Sequence, residues 1–316
     1  HLHSEKLFIR TKLRKIILIP ALVIVSISGF FSCGVDRWPE YAHMTALDTW
    51  MYDIMQQNYL WYQDLPSYDD ANLFLEPAQF LSKVKSKNDS YSFVDSVMET
   101  PLPSYGFDYS LVRNPDIDTA YNALITYVIP GSPAAAVPVE GEEEEEIYRV
   151  VPVGDPVKIG AAVPLVDNPV HCKKTLTLTD GSEVGYLMYN SFTAGTKESP
   201  EKYNAELREW SDELAQKNIH EVILDLRYNK GGSIDCVQLL STMLVSSYYL
   251  DQTMGFLEYN DKNTDKDVTL TFDSKLLNTS GGKNLDLTTL IVLIGGETAG
   301  APEMLMHCLN GKIQKL

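Results

Sequence analysis

The stretch that decides the fold is "EVILDLRYNKGGSIDCVQLLSTMLV", from Glu221 to Val245. It opens on an apolar run of strand length, turns at Gly231-Gly232 and continues as an apolar helix. The segment "TLIVLIGGETAGAPEMLMHCL", from Thr289 to Leu309, repeats the same order. Two strand–turn–helix units of this kind indicate an α/β core.

The segments just before these units predict a sheet and a helix that covers it. "TLTLTDGSEVGYLMYNSF" contains two β runs joined through Asp180-Gly181, which is a hairpin signal. "SPEKYNAELREWSDELAQKN" follows, with Ser199 as the expected N-cap and Pro200 just inside the helix. One face of that helix is apolar and consists of Tyr203, Leu207, Trp210 and Leu214.

The first third of the chain has a helical pattern, and we assign residues 41–103 to a helical N-terminal domain. The segment "YAHMTALDTWMYDIMQQNYLWYQDLP" carries one apolar stripe, formed by Met44, Leu47, Met51, Ile54 and Met55. We expect this stripe to pack into a core, although its methionines are also compatible with a ligand groove. Residues 104–173 favour strands, interrupted by the glutamate run "EGEEEEE", which we expect to be an exposed loop.

Composition excludes some classes of function. The chain has 316 residues, 44% of them hydrophobic, which is enough for a sizeable core. Lys plus Arg number 26 against 43 Asp plus Glu, a net charge of -17, so we expect no nucleic-acid partner. The cysteines and histidines show no paired metal-binding spacing, and we predict neither a metal site nor a cofactor.

The first 32 residues have the pattern of a signal peptide. Basic residues precede the uncharged run "IILIPALVIVSISGFFSC", which is short for a membrane-spanning helix and ends in a small residue before Cys33. We expect cleavage before Cys33 and lipidation of that cysteine, with residues 33–40 as a tether. The protein would then be anchored to a membrane of the cell envelope and face the periplasm or the surface. The alternative is an uncleaved membrane anchor.

The spacing of the glycine pair allows two interpretations. At Gly231-Gly232 the backbone N–H groups can approach a ligand without a Cβ in the way, which suits an oxyanion hole. Alternatively, the pair only lets the strand turn into its helix.

The sequence resembles the carboxy-terminal processing peptidases, also called tail-specific proteases. "EVILDLRYNKGGSI" resembles their strand–turn motif, "GYLMYNSF" their preceding core strand, and "YGFDYSLV" with "YVIPGSPAAA" the PDZ domain that many of them carry. The resemblance implies an α/β core of the crotonase/ClpP-like kind at residues 174–316, which we expect to be truncated at its C-terminal end. It also implies an abbreviated PDZ-like β domain at residues 104–173.

The resemblance further implies which residues would be catalytic. The family nucleophile is a serine on a Thr-Ala-Ser-Ala-Ser-Glu turn, which matches "TAGAPE" here, so Gly300 occupies the nucleophile position. Gly231, Gly232 and Ala301 would form the oxyanion hole. The family uses a lysine further downstream as general base, and the sequence ends at Leu316 before such a lysine.

Other residues of the core are poor replacements for the missing groups. Lys312 and Lys315 follow the last helix closely, and we assign neither as a base. We expect the hydroxyl of Thr298 to point away from the site, and Ser233 to lie at a helix start. His220 directly precedes a buried strand and is best interpreted as an edge residue.

PDZ modules bind the ends of other chains by accepting the peptide as an added strand and its carboxylate on backbone N–H groups. On the resemblance, Tyr105, Gly106, Phe107 and Asp108 are the carboxylate-loop candidates. Three hypotheses follow for the function. The chain is an impaired or incomplete serine peptidase, an envelope lipoprotein that binds protein or peptide C-termini without cleaving them, or, with least support, an accessory lipoprotein of glycan uptake.

Overall fold

The computed structural model describes residues 38–94, 103–136, 149–152, 159–278 and 281–315, and the chain divides into two compact units, residues 1–94 and 95–316. Within the described residues, no helix combines the length and the apolar character needed to cross a membrane. The helices are α1 (Trp38–Asn58), α2 (Pro77–Val84), α3 (Lys202–Gln216), α4 (Ile234–Leu244), α5 (Lys275–Asn278) and α6 (Ala301–Leu309). The strands are β1 (Pro103–Ser104), β2 (Phe107–Arg113), β3 (Tyr121–Val128), β4 (Arg149–Pro152), β5 (Val163–Pro164), β6 (Val170–Thr177), β7 (Glu183–Tyr189), β8 (Glu221–Asp225), β9 (Thr253–Leu257), β10 (Val268–Thr271) and β11 (Thr289–Leu293).

The first unit is helical and has a small core of its own. Helices α1 and α2 enclose a buried cluster that consists of Tyr52, Met55, Leu73, Phe80, Leu81 and Val84. The Tyr52 hydroxyl donates to Pro66 O at 2.6 Å, and the Tyr59 hydroxyl donates to Asp89 Oδ2 at 2.7 Å. These two bonds attach the loops after α1 to the helix and satisfy polar groups near the core.

The stripe predicted for α1 is wrong in part. Met55 is buried as expected, but Met44, Leu47 and Ile54 are 58%, 52% and 43% exposed. The face that packs against α2 includes Tyr52 together with Met55, so the helix is rotated relative to the predicted stripe. Apolar spacing alone could not distinguish these two faces, since both carry large side chains.

The second unit is built on a four-stranded sheet in the order β11-β8-β7-β6. Strands β7, β8 and β11 run parallel, whereas β6 and β7 form the predicted antiparallel hairpin around Gly181. The two strand–turn–helix units therefore place β8 and β11 side by side, in register from Glu221 opposite Thr289 to Asp225 opposite Leu293. Their carboxyl ends, and the turns that follow, meet at one edge of the sheet.

Helices α3, α4 and α6 cover this sheet and complete a mixed α/β core. The predicted apolar face of α3 is confirmed, because Tyr203, Leu207, Trp210 and Leu214 are all at most 5% exposed. The predicted start of α3 is wrong, since the helix begins at Lys202 after Glu201. Ser199 instead forms a tight turn with Thr196, through N–H···O bonds in both directions.

A separate three-stranded sheet, β2-β3-β4, occupies the region for which strands were predicted, together with the short pair β1 and β5. The predicted domain boundary between residues 173 and 174 falls inside β6, which belongs to the core sheet. The glutamate run at residues 142–146 and the lipidation candidate Cys33 lie outside the described residues.

Candidate active site

The first turn follows β8 and is held by buried polar side chains. Asp225, fully buried, accepts the Tyr186 hydroxyl at 2.8 Å and pairs with Arg227 Nη2 at 2.7 Å. Asn229 is also fully buried; its Nδ2 donates to Tyr189 O at 2.9 Å. A hydrogen bond to every polar atom of such a turn keeps its shape fixed, because an unpaired buried group would be costly.

The glycine pair completes this turn. A Cβ on Gly232 would lie 2.3 Å from Phe192 O, and the φ of Gly232 is +135°, so a side chain is excluded at this position. Gly231 O accepts from Phe192 N at 2.9 Å, and Ser233 N donates to Phe192 O at 2.7 Å. Ser233 then caps α4, with its Oγ accepting from Asp235 N. Gly232 therefore has a structural reason to be glycine that is independent of catalysis.

The second turn follows β11 and ends at Gly300, the N-cap of α6. Gly300 has φ +71° and ψ −110°, a conformation that residues with a Cβ rarely adopt. The Thr298 hydroxyl lies inside this turn, where it donates to Leu226 O at 2.8 Å and accepts from Gly295 N at 2.9 Å. As expected from the sequence, the Thr298 hydroxyl is thus directed to the backbone of the turns.

The two turns touch at the position where the resemblance places the nucleophile. Ala299 N donates to Asn229 O at 3.2 Å. A Cβ on Gly300 would lie 3.8 Å from the Gly231 Cα, with nothing closer, and a Cβ on Gly231 would lie 3.8 Å from Ala301 N. The structure therefore brings Gly231, Gly300 and Ala301 together. The space next to Gly300 would accommodate a serine side chain, but the chain has no hydroxyl there.

Two backbone N–H groups of this site already have side-chain acceptors. Gly231 N donates to Asn229 Oδ1 at 3.0 Å. Gly300 N donates to the Glu303 carboxylate at 2.8 Å, which also places a negative charge at the start of α6. An oxyanion hole requires N–H groups that are directed at the reacting oxygen. In this conformation Gly231 N–H is not directed at such an oxygen.

Three lysine and histidine side chains of the core bond to other groups of the protein. Lys312 Nζ donates to Cys308 O at 3.1 Å and lies over the Phe272 ring, at the C-terminal end of α6 and so about 13 Å from Gly300 along the helix. The His220 ring contacts Leu285 O at 2.7 Å through Nδ1, which agrees with a structural edge role. Lys230 Nζ pairs with Glu297 Oε2 at 3.0 Å across the two turns.

A cavity of about 380 Å³ lies between the three-stranded sheet and the two turns. Its lining includes three of the four carboxylate-loop candidates, Gly106, Phe107 and Asp108, and from the turns Tyr228, Lys230 and Glu297. The remaining residues of the lining are Ser104, Tyr127, Ile129, Asp167, Pro169, Asn190 and Ser191. Tyr105 is exposed, and its carbonyl accepts from Ala134 N at 3.0 Å. The sheet and the turns thus enclose one space large enough for part of a peptide.

One wall of the cavity is a hydrogen-bonded cluster that spacing in the sequence did not reveal. The Tyr127 hydroxyl donates to Asp167 Oδ2, Asn190 Nδ2 donates to the same oxygen at 3.0 Å, and His171 Nδ1 lies 3.3 Å from Asp167 Oδ1. Burial alone would raise the pKa of Asp167, but the hydrogen bonds from His171, Tyr127 and Asn190 outweigh it and hold that pKa below its ordinary value. Burial, and then the bond to Asp167, raise the pKa of the Tyr127 phenol.

Tyr127 joins the three-stranded sheet to the first turn. Its ring lies 4.4 Å from the His171 ring and 5.3 Å from the Tyr228 ring, centroid to centroid. In the sequence, Tyr127 is only the first residue of the PDZ-like segment "YVIPGSPAAA", and Asp167 has no motif around it. Their association depends on folding and left no signal in local spacing. Within the described residues, no cluster of His, Cys, Asp and Glu suits a metal ion.

Comparison with known proteins identifies the family of this chain. A family model described as Peptidase family S41 matches residues 183–312, which include both turns, and one described as Peptidase S41 N-terminal domain matches residues 46–93. A solved S41 protease from Bacteroides fragilis is 38% identical, covers 84% of this chain over 76% of its own length, and superposes with a TM-score of 0.73. The chain therefore belongs to peptidase family S41.

Two further solved structures are similar at lower identity. The photosystem II D1 C-terminal processing protease is 19% identical, with 63% of this chain and 43% of that one covered and a TM-score of 0.33. A peptidase from Parabacteroides merdae is 18% identical, with 45% and 41% covered and a TM-score of 0.29. No curated protein matches the chain significantly. The likeness to carboxy-terminal processing peptidases that the motifs indicated is thus confirmed at the level of the family.

Proposed function

We propose that this chain is a family S41 protein that binds protein or peptide segments without hydrolysing them. Gly300 is the observation that carries the proposal. Acyl transfer by a serine-type peptidase begins with attack by a hydroxyl oxygen, and at the position next to Gly231 there is only a glycine. The Thr298 hydroxyl is held by backbone atoms, and Ser233 caps α4, so neither replaces the nucleophile.

The scaffold around the missing nucleophile supports retention of a binding role. Asp225, Arg227 and Asn229 keep the first turn in shape, and the second turn packs against it through Ala299. The cavity beside these turns has aromatic, polar and charged lining, as expected of a site for peptide groups. Capture of a free C-terminus by residues 105–108, as in PDZ modules, is the alternative form of this proposal, and peptides made as free acid and as amide distinguish it.

The test measures binding and cleavage on the same samples. Fluorescence anisotropy would measure the affinity of the purified chain for a library of labelled peptides, each made with a free carboxylate and as an amide. Mass spectrometry after long incubation would then check whether the peptides are intact. We expect saturable binding and intact peptides. Cleavage that disappears in Gly231→Ala would overturn the proposal, and so would absence of binding to every peptide.

A pair of variants tests whether the peptide binds in the cavity. Ser191 lines the cavity, so Ser191→Tyr should fill part of it and weaken binding about tenfold or more. Ser110 lies on β2, exposed and outside the lining, and Ser110→Tyr is the matched control. Equal effects of the two variants would place binding elsewhere. A thermal melt of both proteins would exclude loss of folding as the cause.

We also propose that the protein is exported and lipid-anchored through Cys33 in the cell envelope. Support comes from the basic leader, the apolar run and the small residue before Cys33. A Cys33→Ala variant expressed from the full coding sequence should move from the membrane fraction to the soluble fraction. Mass spectrometry of the N-terminal peptide should find an acylated Cys33 in the parent. An unmodified Cys33 in a membrane-bound parent would contradict lipidation.

A further inference from the structure

We propose that the cavity beside the two turns is selective for a cationic side chain, lysine or arginine, of the bound peptide. This inference rests on the peptide-binding function proposed above and names the class of ligand that the site prefers. It follows from the charge of the lining, from the aromatic rings in it, and from the side chains that occupy the nearby N–H groups.

The lining has more negative than positive charge. It contains the carboxylates of Asp108, Asp167 and Glu297, and Lys230 supplies the ammonium. Lys230 is neutralised by Glu297 at 3.0 Å, and the oxygens of Asp167 accept bonds from Tyr127, Asn190 and His171. Asp108 is exposed at this cavity, and Oδ1 of its carboxylate accepts from Tyr109 N at 2.8 Å. The charge of Asp108 is therefore available to a cationic ligand.

Aromatic rings in the same lining favour a cation for a second reason. Phe107 and Tyr228 belong to the lining, and the face of an aromatic ring attracts ammonium and guanidinium groups. The ring of Tyr127, also in the lining, is instead stacked with the rings of His171 and Tyr228.

The nearby backbone donors, in contrast, are poorly disposed to bind an anion. Gly106 N donates to Ser104 Oγ at 3.0 Å, Gly231 N to Asn229 Oδ1 and Gly300 N to Glu303. An incoming carboxylate would have to displace these acceptors and approach the carboxylates of the lining. The negative charge of the whole chain adds to that repulsion. A cationic side chain meets neither obstacle.

The experiment uses one peptide scaffold with Lys, Gln or Glu at a single position, each as free acid and as amide, titrated against the purified chain by anisotropy. We expect the Lys peptide to bind roughly tenfold more tightly than the Gln peptide, and the Glu peptide to bind most weakly. Asp108→Asn keeps the shape of the side chain and should reduce the preference for Lys to less than about threefold. Asp116→Asn, an exposed carboxylate in the loop between β2 and β3, is the matched control and should leave the preference unchanged.

Each outcome decides between the two proposals. A preference for Lys that is lost in Asp108→Asn but kept in Asp116→Asn supports the inference. Binding of all three peptides with equal affinity, or binding that depends only on a free carboxylate, overturns cation selectivity and leaves the peptide-binding function in place. If both variants reduce the preference for the Lys peptide equally, the preference comes from the overall charge of the chain, and the inference is overturned. Failure of every peptide to bind overturns both proposals.

Discussion

The turn after β8 and the turn after β11 lie next to each other, and each connects a parallel strand to an apolar helix, yet they are held in different ways. In the first turn, buried side chains make the decisive bonds, with Asp225 and Asn229 fully buried. In the second turn, the backbone conformation of Gly300 and one hydroxyl, that of Thr298, set the shape. Ala299 and Gly300 at the tip are exposed, although Ala301 and Pro302 just after it are buried, whereas Asp225 and Asn229 of the first turn are fully buried.

This difference shows that the buried bonds that hold the frame of the site do not involve Gly300. A Cβ at Gly300 would meet no atom of another segment closer than 3.8 Å, so a change there acts on folding through backbone strain and not through lost packing. The buried bonds of the first turn, in contrast, support β7 and β8, and their loss would affect folding directly.

The largest effect is expected in the first turn, for Asn229→Ala. This substitution leaves Tyr189 O and Gly231 N without their partners in a buried position, and we expect the free energy of unfolding to fall by about 3 kcal/mol. Urea unfolding followed by circular dichroism measures the loss. Asn310→Ala, at an exposed residue after α6, is the control and should change stability by less than about 0.5 kcal/mol. Equal losses would remove the distinction between the two turns.

The next effect concerns the tip of the second turn. Gly300→Ser must adopt φ +71° and ψ −110°, and we expect this strain to cost about 2 kcal/mol. We expect no hydrolysis of casein or of the bound peptides, because a serine hydroxyl needs a nearby base, and Lys312 is bonded to Cys308 O at the far end of α6. Gly300→Ala shares the strain without the hydroxyl and is the matched control. Cleavage by the serine variant alone would show that Gly300 is the sole defect of the site.

These two turns also show what the sequence could predict. The sequence predicted the strands β8 and β11, the Gly-Gly turn and the helix after each strand, because each of these signals lies within a few consecutive residues. The same holds for the α3 face with Leu207 and Trp210, and for the hairpin at Gly181. The family likeness rested on those local signals as well, and the prediction that Gly300 stands at the nucleophile position depends on that likeness alone.

Contacts between segments that are distant in the chain could not be predicted from the sequence. Tyr127, Asp167 and Asn190 come from three separate segments and meet only in the fold, so no spacing connects them. The face that α1 buries depends on where α2 packs, and apolar periodicity alone selected the wrong one for Met44 and Leu47. The acceptors of Gly106 N and Gly231 N depend on the rotamers of Ser104 and Asn229, which a motif does not specify.

The first turn has additional support from the three-stranded sheet, and Asp167→Asn tests it. Because the folded pKa of Asp167 is lowered, its stabilisation is present above the unfolded pKa of about 3.9 and is lost as the pH falls through the folded pKa. We expect the variant to be about 1.5 kcal/mol less stable at pH 7, with the difference shrinking as the pH is lowered below about 4. Unfolding curves at pH 7, 4 and 2 measure it. A difference that stays constant across this range would exclude the carboxylate charge as the cause.

A smaller effect is expected for Thr298→Val in the second turn. The variant keeps the side-chain shape and removes the hydroxyl that links Gly295 N and Leu226 O. Because water can reach part of this turn, we expect a loss of about 1 kcal/mol in unfolding free energy. Thr177→Val, at an exposed position of β6, is the control. A loss as large as that of Asn229→Ala would mean that the second turn is as dependent on buried bonds as the first.

The smallest effect concerns the ion pair that connects the turns. Lys230 and Glu297 lie 3.0 Å apart, but their side chains are 70% and 60% exposed, so solvent screens their attraction. A double-mutant cycle with Lys230→Ala and Glu297→Ala should give a coupling energy below about 0.5 kcal/mol at physiological ionic strength. The turns are then joined mainly by their backbones, through Ala299 N and Asn229 O. A coupling energy above 1 kcal/mol that persists in high salt would instead make this pair a structural link between the turns.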